Sequence, residues 1–275
     1  MLHWSTGILF RVMRLKRIIA KLLNRFGYEI RSSAGLSDLD SQSRFGVLLK
    51  ILSTGSQTSK LTLDEALEIV SNSQSQLGQD VLALSLVHKG KIGFFVEFGA
   101  TDGKSLSNTY LLEKYFGWSG VLCEPGKNWH SALQENRSAP IDTRCVFSST
   151  GELIDFTETS VGELSTISSF MQSDANIFLR KKSGTYQVET VSLQDLLLTH
   201  NAPKYIELLS VDTEGSEFEI LKDFPFDEYK FGLICVEHNY TSNREKLHDL
   251  LTGKGYERIH TEYSAFDDWY LGPRS

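Results

Sequence analysis

The spacing of apolar positions changes period several times along this chain, and each change predicts an element. Ile8, Val12, Leu15, Ile19, Leu22 and Phe26 recur at steps of three and four and share one helical face; Arg14, Arg17, Lys21 and Arg25 fall on the other side, and Gly27 supplies a stop. Shorter helices follow over 45–52 and 63–70, the second opened by Thr62 with Glu65 three residues on, the spacing of a capping box. Gly78-Gln79-Asp80 leads into an apolar helix over 81–88, with Asp80 a cap and Gln79 within reach of a ligand mouth. The run Phe94-Phe95-Val96-Glu97-Phe98 is too short for a helix and is bounded by glycines, so it reads as a buried strand. A turn of small residues (99–103), a helical stretch to 116 and a second buried strand ending on Glu124 complete the unit.

Beyond Pro125 the pattern predicts a helix over 128–137, a third strand over 143–148, and an alternating segment at 152–157 with antiparallel character. Residues 162–184 are irregular and long for a connection inside a compact domain, which makes them a substrate-lid candidate. β character resumes at 187–191, a short helix follows, and 205–211 and 231–236 are the fourth and fifth core strands. Helices over 216–221 and 243–251 and a final strand pair at 256–262 and 266–271 close the chain. The alternation predicts an α/β fold: a Rossmann-like, mostly parallel sheet of about seven strands with an antiparallel C-terminal pair, plus N-terminal helices. Residues 1–77 form the helical elaboration and 78–275 the main domain.

Charge refines this picture at one end only. The chain of 275 residues carries a net −7, which argues against a general nucleic-acid partner, but residues 1–31 hold seven basic side chains against one acid, Glu29. A basic amphipathic helix suits an anionic membrane surface and suits packing on protein; the moment pattern fits both. Cys123, Cys145 and Cys235 each sit in an apolar run, an odd number without metal-site spacing, as expected of buried, reduced thiols. With neither a secretory signal nor an 18-residue apolar run, the expected location is cytoplasmic, with the 8–26 helix a candidate for peripheral contact at the inner membrane face. Nothing in the pattern fixes an oligomeric state.

Strand, glycine turn, helix, strand and terminal acid make the mononucleotide-binding half of an open α/β sheet, in which ligands bind beyond the carboxyl ends of the strands. Glu124 lies about 20 residues after the turn, the spacing of a ribose-binding acid. The other strand ends bring Asp212 with Glu214, and Glu237-His238-Asn239, to the same rim. A dinucleotide oxidoreductase is one alternative, although the turn reads G-x-x-x-G and lacks the full pyrophosphate fingerprint. A non-catalytic scaffold with a vestigial pocket is another.

Three blocks carry a resemblance: VEFGATDGKSLSNTYLLEKYFGWSGVLCEP, SVDTEGSEFEIL and CVEHNYTSNR, with GQD before the first and DDWYL after the last. Over about residues 78–271 the chain resembles the FkbM family of S-adenosylmethionine-dependent methyltransferases. The resemblance implies a class I methyltransferase sheet with S-adenosylmethionine across the first two strands. Glu97, Gly99 and Gly103 then form the methionine-side turn, Glu124 holds the ribose hydroxyls, and Asp102, Ser107 and Asn108 are polar contacts, the last two equally suited to capping the following helix. It implies O-methylation; a sugar hydroxyl in a glycan or glycosylated intermediate is the expected acceptor and a polyketide-type molecule the alternative. His238, flanked by Glu237 and Asn239, is the expected general base, with Asp212 and Glu237 as further catalytic candidates. Alternatively Asp212, Glu237 and Asn239 hold Mg²⁺, with Glu214 joining them or favouring the next helix N-terminus.

Overall fold

The computed structural model describes residues 48, 50–53, 62–87, 92–159, 165–170 and 182–273; the basic helix expected over 8–26 lies outside them, as do residues 171–181 of the irregular stretch. Helix α1 (Leu63–Asn72) opens with the expected capping box, Glu65 N–H donating to the Thr62 hydroxyl and Glu65 Oε2 accepting from Thr62 N–H at 2.7 Å. Helix α2 (Gln79–Leu86) starts from Gly78, whose left-handed φ of 96° and close contact with Leu48 leave no room for a side chain. Then come β1 (Phe94–Phe98), α3 (Tyr110–Phe116), β2 (Ser119–Cys123), α4 (His130–Asn136) and a two-residue β3 (Ile141–Asp142).

The chain next builds a second, smaller sheet from β4 (Cys145–Phe147), β5 (Leu153–Thr159), β6 (Thr166–Ile167) and β7 (Lys182–Ser192), in the order β4-β7-β5-β6. It returns through α5 (Leu193–Thr199), β8 (Tyr205–Val211), α6 (Glu217–Leu221), β9 (Lys230–Glu237), α7 (Asn243–Gly253), β10 (Glu257–Ile259) and β11 (Asp267–Leu271). The main sheet has seven strands in the order β10-β11-β9-β8-β1-β2-β3. Pairings from β3 through β9 are parallel, and β11 runs antiparallel to both β9 and β10.

Two expectations need correction. The third strand of the main sheet is 141–142; residues 145–147 pair with β7 in the small sheet instead. The cause is local: the Asp142 carboxylate accepts from Arg144 N–H and from its guanidinium at 2.6 Å, turning the chain off the sheet after two residues. The described parts of 162–184 are also structured, holding β6, a 3₁₀ turn (Ser168–Phe170) and the start of β7, which pairs antiparallel with β5.

Both faces of the main sheet are covered, so its central strands are buried along almost their whole length, as parallel strands require. Val96, Phe98, Val121, Leu209 and Ile234 pack toward α5, α6 and α7; Phe95, Leu122, Leu208 and Leu233 point the other way, onto α2, α3 and Leu48, Ile51 and Leu52. Each such side chain contributes about 1.5–3 kcal/mol on burial. Strand order reverses between β1, which leads to β2, and β8, which flanks it on the other side. That switch point opens a crevice at the carboxyl ends of the strands. Among the described residues no helix is long and apolar enough to cross a membrane.

Candidate active site

A cavity of about 280 Å³ occupies that crevice, lined by the ends of β1, β2, β8 and β9 and by residues of β4, β5 and β6 of the small sheet. Glu97, Gly99, Ser107, Asn108, Glu124, Asp212, Glu237 and Asn239 all line it, as does Glu214; Asp102, Gly103 and His238 do not.

On the β1–β2 side the polar groups hold one another. The Glu97 carboxylate accepts from Asn108 N–H at 2.7 Å and from the Ser107 and Thr109 hydroxyls, and it pairs with Arg137 at 3.4 Å. The Ser107 hydroxyl also accepts from Tyr110 N–H, so it caps α3 as well as bonding Glu97. The Asn108 side chain donates to Ser210 Oγ on β8, and its Oδ1, shielded from solvent, has no partner among the described residues. Glu124 accepts from Thr101 N–H at 2.8 Å on one oxygen and from Gly126 N–H at 2.7 Å on the other. Burial pushes its pKa up to about 7 against the pull of these two amides.

The glycines of the turn have structural reasons. A Cβ on Gly99, at φ 69°, would lie 2.2 Å from the Asp212 carbonyl oxygen; the bare backbone lets the ends of β1 and β8 meet. A Cβ on Gly103, at φ 76°, would strike Leu133 and Arg137, so this glycine serves the packing of α4 and makes no part of the cavity wall. Asp102 closes the same loop on itself, accepting from Lys104 N–H and Ser105 N–H. Both are corrections to the expected methionine-side contacts.

The β8–β9 side is built differently. Side-chain oxygens of Asp212, Glu214 and Glu237 all lie within 4.8 Å of one another. Burial first, then the neighbouring acids, pushes the pKa of Asp212 and of Glu237 well above the usual carboxylate range. Asp267 joins them from β11; Gln79 Nε2 donates to it at 2.7 Å, and burial raises its pKa to about 7. Glu214 supplies the third carboxylate of the cluster, and Asn239 lines the cavity beside it. Asn239 Nδ2 reaches Glu214 Oε2 at 3.3 Å and orients it.

His238 turns away from the cavity. Its Nδ1 accepts from Tyr240 N–H at 3.0 Å, so the ring proton sits on Nε2 and donates to the Asp267 carbonyl oxygen at 3.1 Å. Burial lowers its pKa and holds the ring neutral. With both nitrogens committed in this geometry, the ring presents no lone pair to the cavity, against its expected role as the base.

Several lining residues escaped the sequence reading. Cys145, Val146, Phe156 and Ile167 give the cavity an apolar wall from the small sheet, and Phe266 and Asp267 enter from β11. The alternation around Phe156 was the only signal available for that wall. Thr166 on β6 donates to the Glu214 carbonyl oxygen at 3.1 Å, tying the small sheet to the loop after β8. The three cysteines are free and buried, and burial pushes the Cys145 thiol up to about 12, so it stays protonated.

Fold and cavity together define an open α/β protein with a cavity at its topological switch point, a buried acid at the end of β2 on one side and a carboxylate cluster on the other. The model of the methyltransferase FkbM domain matches residues 97–269, and the chain belongs to that methyltransferase family. A solved structure, the methyltransferase FkbM from Methylobacillus flagellatus KT, matches at 12% identity with a TM-score of 0.39, covering 93% of this chain and 70% of that one. No curated protein matches the chain.

Proposed function

We propose that this protein is an S-adenosylmethionine-dependent O-methyltransferase acting on a sugar hydroxyl in a glycan or glycosylated intermediate. The observation that carries the reading is one continuous cavity joining Glu124 and Asn108 to the Asp212–Glu214–Glu237 cluster. The first side fits the cofactor's chemistry. Each Glu124 oxygen keeps a lone pair beyond its amide for the vicinal ribose hydroxyls, and Asn108 Oδ1 offers an acceptor to a cationic group. When bound, S-adenosylmethionine supplies an electrophilic methyl group on a sulfonium. The protein's task is to hold the acceptor oxygen about 3–3.5 Å from that carbon and to take its proton.

The carboxylates take over the role expected of His238. Repulsion and burial raise the proton affinity of Asp212 and Glu237, bringing them closer to the range in which a general base works at neutral pH. The same oxygens suit a hard divalent cation, for which Asp212, Glu214 and Glu237 would be the ligands; bound Mg²⁺ would lower the pKa of a coordinated hydroxyl. The acceptor class rests on the settings common to the family. It also rests on the basic 8–26 segment, which suits a substrate presented at an anionic membrane face.

Calorimetric titration with S-adenosylhomocysteine tests the cofactor. Saturable binding is expected, weakened at least about tenfold in Glu124→Ala by loss of charge-assisted hydrogen bonds. Saturable NADH binding without S-adenosylhomocysteine binding would overturn the reading. Mass spectrometry of glycans from cells with and without the protein locates the missing methyl group, and loss of methyl transfer on chelation, restored by Mg²⁺, assigns the cation.

A further inference from the structure

The small sheet does more than wall the cavity. Gly126 N–H, one of the two amides that hold Glu124, belongs to the loop 125–128 between β2 and α4, and this loop is gripped from outside by two side chains of the small sheet. The Tyr186 hydroxyl, from β7, donates to Glu158 Oε1 at 2.7 Å and accepts from Lys127 N–H at 3.0 Å, with the Pro125 carbonyl oxygen 3.2 Å away. Glu158, from β5, accepts from Asn128 Nδ2 at 2.7 Å and from Asn128 N–H at 3.3 Å. Lys127 Nζ lies 4.1 Å from the centre of the Tyr186 ring, a cation–π contact. Gly126 thus sits between residues fixed on both sides by groups far away in sequence.

We propose that Tyr186 and Glu158 are positioning residues that clamp loop 125–128, keeping Gly126 N–H on the Glu124 carboxylate and that carboxylate aimed at the cofactor. The proposal rests on the reading of Glu124 as the ribose-binding acid. The physical reason for a clamp is the buried position of Glu124: an ionised carboxylate out of water needs fixed donors, and each amide lost favours the protonated form. A protonated Glu124 can no longer accept from both ribose hydroxyls. Glu158 acts in two ways, since its charge raises the proton affinity of Glu124 while its hydrogen bonds hold the loop that lowers it. Tyr186→Phe separates these contributions, because it removes the hydroxyl and leaves the charge, the ring and its contact with Phe156.

The test is calorimetric titration of the full-length protein with S-adenosylhomocysteine between pH 6 and pH 8.5 (roughly one to two units either side of the Glu124 midpoint). Wild-type affinity is expected to fall as pH drops through about 7. In Tyr186→Phe the affinity at neutral pH should fall about tenfold, the cost of one or two hydrogen bonds, and the pH midpoint should move upward. Asn128→Ala, which removes the 2.7 Å side-chain bond to Glu158 and leaves only the backbone bond at 3.3 Å, should move both in the same direction. The double variant should fall short of the sum, because both changes release one loop. Far-ultraviolet circular dichroism and thermal unfolding check that each variant is folded. A purely structural role for Tyr186 would lower the unfolding temperature without moving the pH midpoint, and that result overturns the clamp. Wild-type affinity and midpoint in both single variants, alongside lost binding in Glu124→Gln, overturns the clamp alone. Wild-type binding by Glu124→Gln overturns the ribose assignment and the clamp with it.

Discussion

The two ends of the cavity treat their carboxylates in opposite ways. At the β1–β2 end each acid meets donors already in place: Glu97 has Ser107, Asn108 N–H, Thr109 and Arg137, and Glu124 has two backbone amides. At the β8–β9 end Asp212, Glu214 and Glu237 face one another, with the Asn239 amide reaching Glu214. The first end is organised before any ligand arrives. The second gathers buried acids whose proton affinity is raised by burial and by one another's charge. A methyl transfer needs both: a rigid seat for the donor, and a site whose proton affinity is high enough to take a proton from the acceptor.

Arg137→Ala tests the rigid end and should have the largest effect. The guanidinium is fully buried and bonds Glu97, Glu113, the Gly103 carbonyl oxygen and the Thr109 hydroxyl. Removing it leaves Glu97 buried without its cation, a change that typically costs about 3–5 kcal/mol. Urea denaturation should register that loss, and S-adenosylhomocysteine affinity should fall with it because Asn108 is anchored on Glu97. A stability loss below about 1 kcal/mol would mean that the hydroxyls and the amide satisfy Glu97 alone, and the contrast between the two ends would shrink.

Glu237→Gln tests the acid-rich end, where stability and activity should move in opposite directions. The folded-state pKa of Glu237 is raised, so its ionisation is harder in the folded protein than in the unfolded chain. Stability is therefore highest below the unfolded pKa of about 4.5 and is lost as pH rises through the folded value. A neutral amide removes that cost. The variant should be more stable than wild type by on the order of 1 kcal/mol at pH 8, with the gain vanishing near pH 4. Methyl transfer from labelled S-adenosylmethionine into an extract of cells lacking the protein should drop about 10²-fold, the lower range for a lost general base. Equal stability at both pH values would show that the cluster is not strained by its own charge.

The legible parts of the molecule were those written in local pattern. Strands β1, β2, β8 and β9 are continuous apolar runs because they are buried on both faces, and the acids at their ends follow from where those runs stop. The edge strand β3 leaves no pattern in two residues, and the apolar run within 143–148 carries the strand signal instead. The small sheet was only half visible because its main pairing joins Leu153 to Glu189 and Thr157 to Thr185, a non-local register that no short window contains. The glycines of the turn stand out in the sequence. Their reason was hidden, since the groups they make room for, the Asp212 carbonyl and the Leu133 and Arg137 side chains, lie far along the chain.

His238 shows the same limit most sharply, and its test carries the smallest expected effect. Between Glu237 and Asn239, an imidazole reads as a base; the groups that occupy it are the Tyr240 amide and the Asp267 carbonyl, backbone atoms that every residue possesses. Its work is to hold the turn in which Asn239 and Tyr240 adopt left-handed backbone, at φ 41° and 56°, so that Asn239 reaches Glu214. Asparagine places an oxygen close to the position of Nδ1 and can accept from the Tyr240 amide, but it cannot act as a base near neutral pH. His238→Asn should therefore keep methyl transfer within about threefold of wild type, whereas a general base would lose about 10²–10⁴-fold. His238→Leu, which removes the acceptor and leaves the Tyr240 N–H unpaired, should lose more activity than the asparagine variant and about 1–3 kcal/mol of stability. If both variants lose activity equally and by a hundredfold or more, the imidazole takes the proton after all, and the acid cluster gives up that part of its role.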